Sequence, residues 1–189
     1  KASKSERRDN GRPVVIGCQG SINGRTLLSL SLTSKTHPYK AGLGPFAPEV
    51  YRAPFPSDYR GPSTEEALAA LERMFVTTVA AENVAALVIE PIQGEGGFVV
   101  APKEYLQEVR RICDAHGILL VIDEVQTGFG RTGKFFAVEH YDIEPDLLTV
   151  AKSIAAGLPL SGVLGKAEIM DELGDSAIGY EHHGGYELL

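Results

Sequence analysis

Residues 118–123, ILLVID, and residues 147–152, LLTVAK, decide the fold. Each is a continuous apolar run too short for a helix, and each closes on a charged side chain. Strands that are apolar on both faces belong inside a parallel sheet covered by helices. Working outward, residues 85–90 (AALVIE) form a third such run, stopped by Pro91. Between the runs the period changes. Pro102 opens a segment in which Tyr105, Leu106, Val109, Ile112 and Cys113 share one helical face, and Gly117 ends it. Upstream, Ser63 and Glu66 have capping-box spacing ahead of Leu68, Leu71, Phe75 and Val79, which predicts a helix of about 17 residues. Residues 12–18 (RPVVIGC) read as another buried strand, residues 41–59, rich in proline, as a long ordered loop, and residues 160–165 as a last strand. Alternating strands and helices predict an α/β fold with a mainly parallel sheet between helices.

Composition is consistent with that architecture. The 189 residues are 43% hydrophobic and 23% charged, enough for one domain rather than a disordered chain. No apolar run reaches the length of about 18 residues that spans a bilayer, and the charged opening KASKSERRDN is no secretory leader. A soluble, cytoplasmic protein is the expectation, with no membrane contact. The net charge of -7 supplies no basic field for nucleic acid. Cys18 and Cys113 are too few for a disulfide framework or a zinc site and are expected to be buried. The chain opens without Met and closes on GGYELL, which reads as an internal piece of a longer protein.

In open parallel sheets, ligands bind beyond the carboxyl ends of the strands. Residues 90–97, 123–133 and 152–157 are therefore where chemistry is expected. Gly128, Gly130 and Gly133 match the dinucleotide spacing G-x-G-x-x-G, but four residues separate Asp123 from the first glycine, so the pyrophosphate would not meet a helix start. The same segment nearly spells a phosphate-binding loop through Gly128, Gly133 and Lys134. Phe135, however, stands where the magnesium-ligating hydroxyl belongs. Both nucleotide readings are therefore disfavoured.

Lys152 follows its strand and precedes the small-residue segment SIAAGLPLSG, which places its ammonium at a sheet end among apolar groups. Desolvation there would lower its pKa and make it a nucleophile. The alternative is a strand-end lysine that snorkels to water. Asp123 closes another strand 29 residues earlier, a separation long enough for a crossover between neighbouring parallel strands. A carboxylate and an amine facing one cavity suit pyridoxal phosphate chemistry, in which the lysine holds the aldehyde carbon and the carboxylate keeps the pyridine nitrogen protonated. A structural cap, or an ion pair with Lys152, would explain Asp123 equally well.

Three blocks together are more specific than any glycine pattern: EPIQGEGG (residues 90–97), LLVIDEVQTGFGRTG (119–133) and PDLLTVAKSIAAGLPLSGVLGKAEIMD (145–171). In content, order and spacing they resemble the class III pyridoxal-phosphate-dependent aminotransferases, most closely the 4-aminobutyrate aminotransferase branch. The resemblance runs from about Arg12 to Asp171. It implies the type I, aspartate-aminotransferase-like fold, with this chain (1–189) as an incomplete large, cofactor-binding domain. It also implies transamination from an ω-amino donor such as 4-aminobutyrate to a 2-oxo acid, 2-oxoglutarate by resemblance. Acetylornithine, ornithine and diaminobutyrate enzymes share most of these blocks, and a catalytically silent fragment is the non-enzyme alternative.

Position by position, the resemblance makes Lys152 the Schiff-base lysine and proton-moving base, and Asp123 the partner of the pyridinium nitrogen. Val125 would pack on a ring face, Gln126 would bond the phenolic oxygen, and Glu95 would sit beside the substrate, paired with an arginine from outside the chain. The site would be shared across a homodimer. Ile22 and Asn23, in SINGRT, stand where the family has an aromatic residue and often His; Ile22 offers apolar contact without ring stacking, a difference of about 1 kcal/mol. By the same resemblance the family's upstream phosphate loop and C-terminal small domain are expected to lie outside these 189 residues, and HHGGYELL stands where the family has a Gly-Gly-Thr segment. The longer protein is thus expected to be a transaminase, and these 189 residues alone to bind the cofactor poorly. Glu181, His182 and His183 lack a spaced third ligand, so no metal site is expected.

Overall fold

The computed structural model describes residues 11–171. Val14–Cys18 (β1), Val50–Ala53 (β2), Val84–Ile89 (β3), Leu119–Asp123 (β6), Leu147–Val150 (β7) and Gly162–Gly165 (β8) form one sheet in the order β2-β1-β3-β6-β7-β8. Every pairing is parallel except that of β8, which returns antiparallel along β7. The residues of β6 are buried throughout, as its unbroken apolar sequence requires. A small ribbon of Ile92–Gln93 (β4) and Val99–Val100 (β5) sits apart.

Helices Thr64–Thr77 (α2) and Lys103–His116 (α3) cover one face of the sheet, following the short helix Leu27–Leu32 (α1) in chain order. The buried stripe of α3 is Tyr105, Leu106, Val109, Ile112 and Cys113, packed with Leu87, Ile89, Leu120 and Ile122. Each large apolar side chain enclosed there contributes about 2 kcal/mol. The ends of these helices are encoded locally. The Ser63 hydroxyl accepts from the Glu66 amide at 3.2 Å, and the Glu66 carboxylate accepts from the Ser63 amide at 2.8 Å. Gly117 ends α3 in the left-handed region at φ +59°, which lets the Ile118 amide reach back to the Cys113 carbonyl at 2.8 Å. The opposite sheet face, built from Ala86, Leu119 and Val121, is packed by Ile169 of Ala167–Met170 (α4).

Several expectations needed correction. Residues 41–59 are not loop throughout, because β2 lies within them and pairs with β1; its four residues carry Tyr51 and Arg52 and show no apolar run, so the neighbouring strand rather than its own pattern makes it a strand. Leu27–Leu32, in a stretch for which the sequence reading gave no helix, is helical. Helix α2 has 14 residues rather than about 17, with Val79 beyond its end. The mainly parallel sheet lies between helices as expected, the two long ones on one face and the short α4 on the other. Cys18 and Cys113 are buried free thiols, as expected. No helix among the described residues is long and apolar enough to cross a membrane. Glu181, His182 and His183 fall outside the described residues.

At the start of β7 the Asp146 carboxylate, 7% exposed, accepts from the Leu120 amide at 2.8 Å, Arg110 at 2.8 Å and Lys166 at 3.0 Å. It joins β6, α3 and the segment after β8. Burial alone would raise its pKa, but the amide and the two cations outweigh burial and hold it below its ordinary value of 3.8. A depressed acid pKa contributes stability above the unfolded value and loses it as pH falls through the folded one. Asp146→Ala is therefore expected to cost about 3 kcal/mol in denaturant unfolding at pH 7, with the difference from wild type shrinking as the pH is lowered below 4.

Candidate active site

Because β1, β3, β6 and β7 run parallel, their carboxyl ends open on the same edge of the sheet. Chain order places β2 on one side of β1 and β3 on the other, so the strand order reverses between β1 and β3. A crevice for ligands is expected at that reversal. The residues at this edge are the loop after β1 with Ile22 and Asn23, Glu90 after β3, Asp123 ending β6 and Lys152 just beyond β7. Asp123 and Lys152 thus end adjacent paired strands, with Asp123 in register with Thr149.

Asp123 is 7% exposed and is held by three donors. The Asn23 side-chain amide donates to Oδ2 at 2.9 Å, the Val125 backbone amide to Oδ1 at 3.1 Å, and the Thr149 hydroxyl completes the set. Burial raises its pKa; these donors and the nearby Lys152 charge act against the rise. The Asn23 Oδ1 atom is buried and has no hydrogen-bond partner. Lys152 donates to Gln126 Oε1 at 2.8 Å. Its side chain is exposed rather than enclosed among apolar groups, because the turn that carries it lies outside the strand; the expected desolvation is not found. Lys152 adopts φ +49°, a left-handed conformation costing about 1 kcal/mol for a residue with a side chain.

The turn after β6 is fixed from below by Glu124. Its fully buried carboxylate accepts from the Val138 amide at 2.8 Å and from the Thr127 hydroxyl, and its carbonyl accepts from the Gly128 amide at 3.0 Å. Val125 and Gln126 are therefore presented on a rigid base. Gln126 lies directly over Gly94, where a Cβ atom would come within 2.6 Å of Gln126 Oε1. Glu95, one residue on, is exposed; its carboxylate accepts from Tyr39 at 3.3 Å, and its carbonyl from Lys35 at 2.7 Å. The segment containing Gly128, Gly130 and Gly133 forms turns leading to a 3-10 turn at Ala137–His140, with no α-helix to receive a pyrophosphate.

Glu90 falls within residues 90–97, where chemistry is expected, but the sequence reading gave it no role of its own. Its carboxylate accepts from the Ile22 amide at 2.9 Å and the Gly94 amide at 3.0 Å, and burial pushes its pKa up to about 7. The signal was present in the sequence: Glu90 closes AALVI as Asp123 closes LLVI. Glu124 was missed because nothing local shows that it points into the core rather than the crevice. The structure brings Asn23, Val125 and Thr149 onto Asp123 and Lys152 onto Gln126, with Ile22 bonded separately to Glu90 and Glu95 beside Gly94; charge rather than hydrogen bonds links Lys152 to Asp123 and Glu90.

A profile of the class-III aminotransferases matches residues 1–185. The chain is 47% identical to the probable 4-aminobutyrate aminotransferase of Bacillus subtilis, across 97% of its own length and 44% of that protein. It is 49% identical to the 5-aminovalerate aminotransferase DavT of Pseudomonas putida, across 97% of its length and 43% of that protein. Among solved structures, a transaminase from the marine bacterium Virgibacillus superposes with a TM-score of 0.85 at 33% identity, covering 97% of this chain and 40% of that one. An amine transaminase from an uncultivated Pseudomonas species, in its PLP-bound form, gives 0.85 at 29% identity, covering 96% and 43%. The chain spans less than half the length of the curated relatives it matches. Sheet order, the charged ends of the parallel strands and the match over nearly every residue lead to one conclusion: this chain belongs to the class-III aminotransferase family.

Proposed function

We propose that the protein of which this chain forms the large-domain part is a pyridoxal-phosphate-dependent aminotransferase, taking the amino group of an ω-amino acid and passing it to a 2-oxo acid. The observation that carries this reading is the pair at the ends of β6 and β7, where a buried carboxylate held by three donors closes one strand and a primary amine bonded to Gln126 stands just beyond its parallel neighbour, close enough for the two charges to act on each other. The residues fit the cofactor. Asp123 is an oriented, buried acid for which a protonated ring nitrogen is the natural partner, and the unpartnered Asn23 Oδ1 shows that polar capacity at this edge is unused.

When bound, pyridoxal phosphate supplies an aldehyde that takes up the donor's amino group and a protonated ring that draws electrons from the adjoining C–H bond. Lys152 is the amine that would hold it and the base that moves the proton, from Nζ. Asp123 would keep the ring nitrogen protonated, and its three donors keep the carboxylate turned toward that position. Val125 and Ile22 offer apolar contact to the ring faces. The Gln126 side chain has an amide NH2 free to donate to a phenolic oxygen while its Oε1 accepts from Lys152.

We assign Glu95, whose carboxylate accepts from Tyr39, to the substrate. The names of the two relatives above support 4-aminobutyrate and 5-aminovalerate as donors, and 2-oxoglutarate is the acceptor we assign. Both donors separate amine and carboxylate by a short methylene chain, which suits a rim carboxylate that can pair with a cation or withdraw. A second copy of the protein is proposed to complete the site, and two buried free thiols suit a reducing, cytoplasmic setting.

The test is amino transfer by the full-length protein. Glutamate formation from 2-oxoglutarate is expected with 4-aminobutyrate or 5-aminovalerate in preference to ornithine and acetylornithine; transfer from none of them would overturn the reading. Lys152→Ala is expected to lower the rate at least about 10³-fold, because it removes the base from the crevice.

Gly94→Ala provides a separate check on the crevice. The added methyl meets the far end of a flexible Gln126 side chain, so the fold is expected to survive with its melting temperature within a few degrees of wild type, while Gln126 swings off Lys152 and KM rises. A crystal structure of the variant with the 2.8 Å contact intact would contradict this account.

A further inference from the structure

The turn after β4 presents Glu95 on a backbone that is already fixed. The Gly94 amide donates to Glu90 at 3.0 Å, the Gly94 carbonyl accepts from the Gly97 and Phe98 amides at 3.1 Å, and the Glu95 carbonyl accepts from Lys35 Nζ at 2.7 Å. What the backbone leaves open is the direction of the Glu95 side chain, which is exposed and free to change rotamer unless something holds it. Among the described residues one side chain is bonded to its carboxylate: the Tyr39 hydroxyl donates to Oε2 at 3.3 Å. No cation forms an ion pair with that carboxylate among the same residues.

Tyr39 is itself held. At the foot of its loop the Thr33 carbonyl accepts from Arg52 at 3.0 Å and from Lys40 Nζ at 3.1 Å. Nearer the tip, the Thr36 carbonyl accepts from the Lys40 and Ala41 amides at 2.7 and 3.0 Å, and the Arg25 guanidinium lies 5.6 Å from the centroid of the half-buried Tyr39 ring. The loop therefore meets the turn as a bracket with two contacts on a single residue. Lys35 fixes its main chain, and Tyr39 aims its side chain.

We propose that Tyr39 is a positioning residue that sets substrate preference by keeping the Glu95 carboxylate in place. The inference rests on the transamination reading and deepens it. A carboxylate held in place attracts the ammonium end of an ω-amino acid and repels the carboxylate that a 2-oxo acid carries beside its reacting carbon. The ω-amino donor keeps its own carboxylate several methylenes away from the reacting carbon, so it does not meet that repulsion. Releasing Glu95 to water weakens the attraction and the repulsion together, and the two substrates then respond in opposite directions.

Tyr39→Phe in the full-length protein tests this, because it removes the hydroxyl and keeps the ring beneath Arg25. With separate substrate series, kcat/KM for 4-aminobutyrate is expected to fall and that for 2-oxoglutarate to rise, changing their ratio about fivefold, mainly through KM. A loop that merely became looser would lower both. In a Glu95→Gln background the same substitution should no longer move the two values apart, because the charge it positions is gone. If the wild type transfers amino groups and Tyr39→Phe leaves the ratio unchanged, or lowers both values equally, the inference is overturned and the transamination reading stands. A wild type that transfers none overturns that reading and the inference with it.

Discussion

The parallel pairing of β3, β6 and β7 is the constraint on which the crevice depends. Parallel strands expose their carboxyl ends at one edge, so a charged residue that closes an apolar run is delivered to that edge regardless of how far apart the runs lie in the chain. Glu90, Asp123 and Lys152 reach the crevice in this way, two acids and one base from three consecutive positions across the sheet. Their ammonium and carboxyl groups are near enough to influence one another, and the charge balance among them is a property of the sheet order rather than of any one loop.

Rigidity comes from polar groups on either side of the sheet edge. Below it, the buried Glu124 carboxylate ties the turn after β6 to the Val138 amide, so Val125 and Gln126 start from a fixed base. Above it, Asn23, Val125 and Thr149 hold both oxygens of Asp123. An acid with three donors and little exposure cannot turn away to find water, which is the preorganisation that electrostatic catalysis requires. Asn23 serves here without a titratable ring, so the donor facing Asp123 does not change charge with pH.

Much of this was legible in the chain. The runs ILLVID and LLTVA gave β6 and β7 their places, the Ser63 and Glu66 pair and Gly117 marked helix ends, and the blocks around Asp123 and Lys152 identified the family. Strand β2 was not legible, since four residues without an apolar pattern become a strand only because β1 offers its edge. The exposure of Lys152 was not legible either; the small residues that follow it suggested an apolar enclosure, but the side chain leaves from a left-handed turn beyond the sheet.

Glu90 and Glu124 show the boundary most clearly. Both follow apolar runs, and by composition alone they are interchangeable with Asp123 as candidate acids. Alternation along a strand and local turn chemistry determine which residues are charged and roughly where each run stops, because these are short-range effects of backbone geometry. Whether a given carboxyl faces a crevice, a pair of loop amides or the core depends on which strands become neighbours, and that is fixed by long-range packing of α2 and α3 against the sheet. The sequence alone therefore determined the parallel fold, the strand ends and the family, while tertiary structure decided where each acid points, because the partners that set it, Val138 for Glu124, Ile22 for Glu90 and Asn23 for Asp123, lie 14 to 100 residues away along the chain.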